Sequence, residues 1–447
     1  VDIVYYDHRE MPPFMIFIYN ILLFIALVLA SPFFFFKSLI TGKYRRNIRA
    51  KLGLVNLEHF LKVVGFPRIL VHAVSVGEVT VAAPIITQLR GIFPNAAIFL
   101  STTTETGREM AEKIATAADC LFYAPLDIPC AVSGMLTATR PDVLVLVEAE
   151  LWPNLLNICH KRGIKIILVN GRISPRSFHR YLFIHRLWQT WLSGIDKAGA
   201  ISLTDAARLA RMGIPCERIV TIGNAKNDAL ATRTSVYLQE EMAAKLSFGK
   251  NERVFVAGST HEGEETLVLE TFKQLLKRDG RFKLIITPRH PQRANAVKHY
   301  AEQAGFSDVV FFSALAQGEA RGERRIVIVD IIGELFKIYA LAEFVFCGGS
   351  LVPKGGQNIL EAAAWGNVVL YGRHMDDFLQ EKNALEEVGA GICVADGREL
   401  TKRVLELLDN PTELAQRRER AREVIIAGMG AARRYAELVA TSLDNWH

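Results

Sequence analysis

The chain has little that would hold a metal ion, a disulfide frame or a polynucleotide. Its six cysteines (Cys120, Cys130, Cys159, Cys216, Cys347 and Cys393) include no C-x-x-C pair. That excludes the usual zinc and dithiol patterns, and their mostly apolar neighbours make them free thiols of a reducing compartment. There is no D-x-D pair and no histidine cluster, so neither a metal site nor a cofactor is expected. The G-x-G-x-x-G fingerprint of dinucleotide binding is missing, as are repeats and low-complexity tracts. The net charge is only +6, without a dense basic and aromatic run. This argues against a nucleic-acid partner and for acidic small molecules or anionic lipid.

Charge is absent altogether between Met11 and Phe36, MPPFMIFIYNILLFIALVLASPFFFF. A spanning helix needs about 20 apolar residues, so residues 11–36 are expected to be a membrane anchor. Lys37, Lys43, Arg45, Arg46, Arg49 and Lys51 follow, which places the remainder on the cytoplasmic side. A secretory signal peptide with Val28-Leu29-Ala30 at its cleavage site is the competing reading. Against it, Asp2, Asp7 and Glu10 precede the run and the basic cluster lies on the wrong side. Asn20 and Pro32 interrupt the run, so a helix half-buried in one leaflet also fits.

Beyond the basic cluster, strand and helix patterns alternate twice over. The first set places strands near 68–74, 97–101, 143–148, 165–170, 199–202 and 219–222. The second places them near 253–258, 282–287, 308–312, 325–330, 343–347, 367–371 and 391–394. Alternation of this kind predicts parallel sheets covered on both faces. The expected fold is α/β: two Rossmann-like, doubly wound domains facing a cleft, residues 37–225 and 226–447, with the boundary inside 223–250. In open α/β sheets ligands bind beyond the carboxyl ends of the strands, so the loops there are the candidate sites.

In the second domain, CGGSLVPKGGQNILEAAAWG (347–366) ends a strand in glycines, and Gly355-Gly356 are expected to open a helix whose free N–H groups face phosphate. Asn358 faces the same space and Glu361 suits ribose hydroxyls. The loop Arg289-His290-Pro291-Gln292-Arg293 offers two guanidinium forks for phosphate or carboxylate. Gly258-Ser259-Thr260-His261-Glu262 offers small donors, with Thr260 equally a plain helix cap. Ile332-Gly333-Glu334 opens another helix. In the first domain, Ser75-Val76-Gly77-Glu78 puts a lone carboxylate between a strand and a helix predicted over 80–89, with Pro84 near its first turn. Its plainest role is to complement the helix dipole, worth roughly 0.3–1 kcal/mol. Three polar loops accompany it: Ser101 to Gly107 with Thr103, Glu148-Ala149-Glu150-Leu151-Trp152-Pro153-Asn154, and Asn170-Gly171-Arg172-Ile173-Ser174.

Together HAVSVGE, STTTETG, YAPLD, VEAELWPN, NGRISPRSF, GSTHEGEE, PRHPQR and GGSLVPKGGQNILEAAA resemble the 3-deoxy-D-manno-octulosonic acid (Kdo) transferases of lipopolysaccharide synthesis, along nearly the whole chain. Where that family carries His this chain has Gln357, where it carries Met this chain has Ile332, and its Leu-Lys-Phe-Asp is here Ala225-Lys226-Asn227-Asp228. The resemblance implies a GT-B-type glycosyltransferase moving Kdo from CMP-Kdo to a lipid A precursor, inverting and metal-independent, at the cytoplasmic face of the inner membrane. It implies Glu78 as general base and Glu150 as a second acidic residue of the site. It puts donor contacts on Arg289, Gly333, Glu334, Asn358 and Glu361, with Ser259, Lys226, Gly355 and Gly356 beside them. Ser75, Gly77, Thr103 and Arg172 are then expected on the acceptor side. The implied partners are CMP-Kdo, a lipid A precursor and membrane lipid, with no nucleic acid. The rival readings are a GT-B enzyme using a UDP-sugar with a lipid-linked acceptor, and a membrane-anchored sugar-nucleotide-binding protein without turnover.

Overall fold

The computed structural model describes residues 13–41, 48–53, 60, 62–173, 177, 178, 181, 185–249 and 251–443. Lys43, Arg45, Arg46 and Ser174 lie outside them. The chain divides into two units, residues 1–229 with 430–447, and residues 230–429.

The first unit is built on β1 (Arg68–His72), β2 (Ala97–Thr102), β3 (Cys120–Tyr123), β4 (Val143–Val147), β5 (Lys165–Gly171), β6 (Lys197–Ala200) and β7 (Ile219–Thr221). They form one sheet in the order β3-β2-β1-β4-β5-β6-β7, with every recorded pairing parallel. Strand β4, VLVLV, is buried along its whole length, as both faces are covered and nothing selects alternation. The second unit repeats the plan with β8 (Arg253–Thr260), β9 (Phe282–Pro288), β10 (Val309–Phe311), β11 (Ile326–Ile328), β12 (Phe344–Cys347), β13 (Val369–Tyr371) and β14 (Gly391–Cys393). Its order is β10-β11-β9-β8-β12-β13-β14. The sequence direction reverses between β1 and β4 in one sheet and between β8 and β12 in the other. A doubly wound sheet opens its ligand crevice at that reversal.

Four local features differ from the sequence reading. Strand β3 is unforeseen: it is four residues long and lies at the sheet edge, where only alternate residues are buried. The helix after β1 begins at Val76 and runs to Ile92, straight through Pro84. An interior proline costs a hydrogen bond, about 3 kcal/mol, and the buried face of Val79, Val81, Ala82, Ile85, Ile86 and Leu89 offsets it. Gly355 and Gly356 do not open a helix. Both sit in a loop at positive φ, 83° and 80°, and the following helix is only Leu360–Ala363. Their missing side chains make room for Asp377 and Met375.

The fourth difference is the chain's return. The domain expected to end at 447 gives up its last helix, Ala431–Leu443, to the first unit. Asp228 accepts from the backbone N–H groups of Gly430 (2.6 Å) and Ala432 (3.1 Å), fixing the start of that helix. Tyr435, Ala436 and Val439 then join the core formed by Val79, Ile85 and Ile86 behind the β1 helix. The Tyr435 hydroxyl donates to the Gly223 carbonyl (2.8 Å), and its ring fills the space that a Cβ on Gly199 would occupy. Tyr435→Ala is therefore expected to destabilise the first unit by about 3–5 kcal/mol, read as a lower Tm in thermal unfolding.

Candidate active site

In the first unit the loops that follow β1 and β4 flank the reversal point, and both carry carboxylates. Ser75 caps the helix Val76–Ile92, and Ser75-Val76-Gly77-Glu78 is a capping-box sequence. The Glu78 backbone N–H donates to Ser75 Oγ at 3.4 Å. In return the Ser75 hydroxyl donates to Glu78 Oε1 and the Val74 N–H to Oε2, both at 2.7 Å. The Val74 carbonyl takes the N–H groups of Thr103 and Thr104 and the Thr104 hydroxyl, each at 3.2 Å. A Cβ on Gly107 would press on that same carbonyl. The STTTETG turn thus holds Val74, the residue whose N–H holds Glu78. Thr103 Oγ1 is buried without a partner among the described residues. Gly77 is exposed, and a Cβ there would meet only Ser75 Oγ at 3.8 Å.

Glu78 is 6% exposed. Burial raises its pKa from the ordinary carboxylate value to about 7; the Ser75 and Val74 hydrogen bonds oppose the rise, and the neighbouring Glu150 and Glu148 carboxylates add to it. A plain dipole-complementing glutamate stays ionised at neutral pH. This one sits where a proton is taken up and released most readily.

Beyond β4, Glu148 adopts φ 59°, a strained backbone for a non-glycine residue and typical of functional sites. Its carboxylate pairs with Lys226 at 2.8 Å. Lys226, expected among the donor contacts of the second domain, therefore belongs to the first unit and to this cluster. Asn170, at φ 53° at the end of β5, accepts from the Ala225 N–H (2.9 Å) and so places Lys226. Glu150 accepts from the Trp152 indole N–H (2.9 Å). A cavity of about 320 Å³ is lined by Glu148, Ala149, Glu150, Arg172, Ile173, Ser177 and Tyr181. Glu150 and Arg172, taken from two separate loops, thus share one cavity.

Sequence reasoning passed over His72, the residue that opens HAVSVGE. Its Nδ1 lies 2.9 Å from Ser101 Oγ, its Nε2 has no partner among the described residues, and its ring meets Trp152 edge-on at 5.2 Å. Burial lowers its pKa to about 4, so it is neutral. It wedges the indole that holds Glu150.

In the second unit the loops after β8, β9 and β12 converge on adjacent strand ends. Their organiser is Glu264, which is fully buried. One carboxylate oxygen accepts from the N–H groups of His261 (2.9 Å) and Gly349 (2.7 Å), the other from Ser350 (3.1 Å) and Leu351 (3.0 Å). The amides of Gly349, Ser350 and Leu351, at the end of β12, are thus engaged by a protein carboxylate, and at the second glycine pair the Gly356 N–H donates to the Gly349 carbonyl (2.9 Å). Arg289 is exposed at the end of β9, while Arg293 is tied to Glu265 at 2.6 Å. His261 and His290 meet edge-on at 6.1 Å. Burial lowers the His261 pKa; Glu264 opposes this, and the positive groups of His290, Lys354 and Arg293 lower it further.

Ser259, at φ 54°, forms the irregularity at the end of β8. Asn358 accepts from the Leu360 N–H (3.1 Å) and reaches Glu361 (3.4 Å). Burial raises the Glu361 pKa against the opposing effects of Arg233 and Asn358. Gly333 has φ 100°, and Glu334 lies near Lys337 (3.6 Å) and Lys245 (3.9 Å). The sequence had no direct signal for Glu264, because a glutamate before a helix reads as an ordinary first-turn acid.

Two doubly wound units of this kind give the chain a GT-B-like fold. A crystal structure of UDP-N-acetylglucosamine 2-epimerase has the same fold, with TM-score 0.60 and 13% identity over 85% of this chain and 96% of that one; the fold alone does not choose the reaction. Sequence does. The family model described as 3-deoxy-D-manno-octulosonic-acid transferase (kdotransferase) matches residues 46–229. The 3-deoxy-D-manno-octulosonic acid transferase of Haemophilus influenzae is 32% identical over 96% of this chain and 99% of its own. That of Bordetella pertussis is 29% identical over 84% and 86%. The chain belongs to the Kdo transferase family.

Proposed function

We propose that the chain transfers Kdo from CMP-Kdo to a lipid A precursor, with inversion and without a metal ion, at the cytoplasmic face of the inner membrane. The observation that carries this is Glu78: a buried carboxylate with a pKa near 7, at the reversal point of the first sheet. In this reading an acceptor hydroxyl loses its proton to Glu78 as its oxygen bonds to the anomeric carbon of Kdo. The bond from that carbon to the CMP phosphate oxygen breaks, and CMP leaves with the electron pair. One base on the face opposite the leaving group suffices for inversion. Each Glu78 oxygen already accepts one hydrogen bond and keeps a second lone pair for the proton.

Glu150, Lys226, Arg172 and Thr103 serve the acceptor, which carries both hydroxyls and phosphates. Ser75 positions the base and Gly77 leaves the approach open. Arg289 takes the growing negative charge of the leaving phosphate, and Ser259, Gly333, Glu334, Asn358 and Glu361 hold the nucleotide. Gly355 and Gly356 shape the loop rather than bind. The apolar helix Pro13–Thr41 supplies lipid contact, and nucleic acid has no part.

The test is mass spectrometry of a tetraacylated lipid A precursor incubated with purified protein, CMP-Kdo and EDTA. Product masses stepped by Kdo units support the reading; no product with intact CMP-Kdo overturns it, and product only without EDTA overturns metal independence. Arg289→Ala is expected to raise the KM for CMP-Kdo by about 10- to 100-fold, since a hydrogen bond to a charged group is worth roughly 1.5–3 kcal/mol. Steady-state kinetics with varied donor measures this.

A further inference from the structure

The apolar helix Pro13–Thr41 has a 19-residue window, Phe14–Pro32, of mean hydropathy 2.5. By length it can cross a bilayer. Its contacts point elsewhere. Met15, Ile16, Tyr19, Asn20, Leu23, Leu27 and Ala30 are half-buried, while Phe14, Phe17, Leu22, Phe24 and Leu29 are exposed. The covered residues recur at three- to four-residue spacing, which is one stripe of a helix.

Within that stripe two polar side chains interrupt the apolar run, and both are engaged by the first unit. The Tyr19 hydroxyl donates to Asp127 Oδ2 at 2.9 Å, and its ring meets Trp191 edge-on at 5.9 Å. Asn20 and Asn154 exchange amide hydrogen bonds, 2.7 Å in one direction and 3.3 Å in the other. Asn154 is 1% exposed and Asp127 6%. Asp127 also accepts from the N–H groups of Asn154 and Leu155 (both 2.9 Å), so it caps the helix Pro153–Lys161. The Asn154 amide donates to the Asp127 carbonyl as well. The segment that enters this helix is Glu150-Leu151-Trp152.

These contacts and a membrane-crossing helix exclude each other. If the basic residues after Phe36 mark the cytoplasmic face, a crossing helix carries Asn20 roughly 24 Å from that face, at 1.5 Å per residue. The hydrocarbon core is about 30 Å thick. Asp127 and the first unit's helix with His160 and Lys161 would have to follow Asn20 into it. Each charged group placed there costs about 2.5–3.5 kcal/mol or more. Unpaired in lipid, Asn20 and Tyr19 would gain nothing in return.

We propose that the apolar helix lies along the first unit within a single leaflet, latched through Tyr19–Asp127 and Asn20–Asn154, and that the latch positions the Glu150 turn at the membrane surface. The exposed side of the helix enters the acyl chains, and the basic residues that follow meet anionic headgroups. Tyr19, Asn20, Asp127 and Asn154 are positioning residues. The second half of the proposal rests on the transferase reading; the first half does not.

Topology is tested with Asp7→Cys, ahead of the helix, in spheroplasts treated with a membrane-impermeant maleimide. The expected result is no labelling at position 7 until the membrane is permeabilised; labelling from outside overturns the latch. The positioning role is tested with the Tyr19→Phe, Asn20→Leu double variant, which keeps the run apolar. Membrane partition and CMP affinity are expected to stay at wild-type level while kcat/KM for the lipid acceptor falls about tenfold. An unchanged acceptor kcat/KM overturns it, and a loss of CMP affinity in parallel marks a merely structural effect and overturns it too. Labelling needs no turnover: a protected position 7 in a protein that makes no Kdo product refutes the transferase reading and leaves the single-leaflet latch standing.

Discussion

Glu78→Gln is expected to lower Kdo transfer by about 10²–10⁴-fold, the usual worth of a positioned general base, with CMP affinity unchanged. Glutamine keeps the shape of the capping box but has no basic oxygen to receive the acceptor proton. The wild-type pH profile carries a second signature. The base works only when ionised, and its pKa is raised to about 7. Acceptor kcat/KM should therefore rise tenfold per pH unit below about 7 and level off above it. An ordinary exposed glutamate would give a flat profile from pH 5.5 upwards. In the Gln variant the residual rate should lose this inflection. Single-turnover assays from pH 5.5 to 8.5, with nucleotide binding followed in parallel, measure both effects. A variant that retains the inflection would move the base elsewhere, with Glu150 the next carboxylate in the cluster.

Replacing Glu264 should be as damaging to the second unit as Glu78 is to the chemistry. Four backbone N–H groups converge on its two oxygens. Alanine strands all four, and each unsatisfied buried donor costs about 1–3 kcal/mol. Glutamine does not rescue. Either orientation of its amide turns an –NH2 group toward two N–H donors, replacing two attractions with two repulsions. Glu264→Ala and Glu264→Gln are both expected to lower the unfolding midpoint sharply and to reduce CMP affinity at least tenfold, read by calorimetry with and without CMP. Asp would be too short to reach both sides of the Gly348–Leu351 turn. A Gln variant with wild-type midpoint and affinity would show that the loop is held by other contacts.

The parts of the fold legible in the sequence were those written in local patterns. The strand before Ser75, the buried β4 run and the alternation that builds two sheets are carried by apolar periodicity, and they stand as expected. Strand β3 escaped because four residues at a sheet edge carry no period that distinguishes them from a loop. The helix through Pro84 and the loop at Gly355-Gly356 went against local rules for one reason: packing against the rest of the unit outweighed the local preference. The glycines answer Asp377 and Met375, which are neighbours only in space. The return of residues 430–447 to the first unit rests on Asp228 and Tyr435, separated from their partners by roughly two hundred residues of chain.

The sequence by itself determined the class of the molecule and the inventory of its site: two parallel α/β units, an apolar N-terminal helix, and the polar strand-end loops that mark a Kdo transferase. Those follow from residue type and spacing, which are properties of the chain. What only the tertiary structure decided is the state of those residues. It buried Glu78 beside two other carboxylates and so raised its pKa, it moved Lys226 to Glu148, and it committed the amides of Gly349, Ser350 and Leu351 to Glu264. It also gave Asn20, an interruption in the apolar run, and Tyr19 beside it partners in Asn154 and Asp127. Desolvation and hydrogen bonding depend on which distant segments arrive at one place, and no local pattern encodes that arrival.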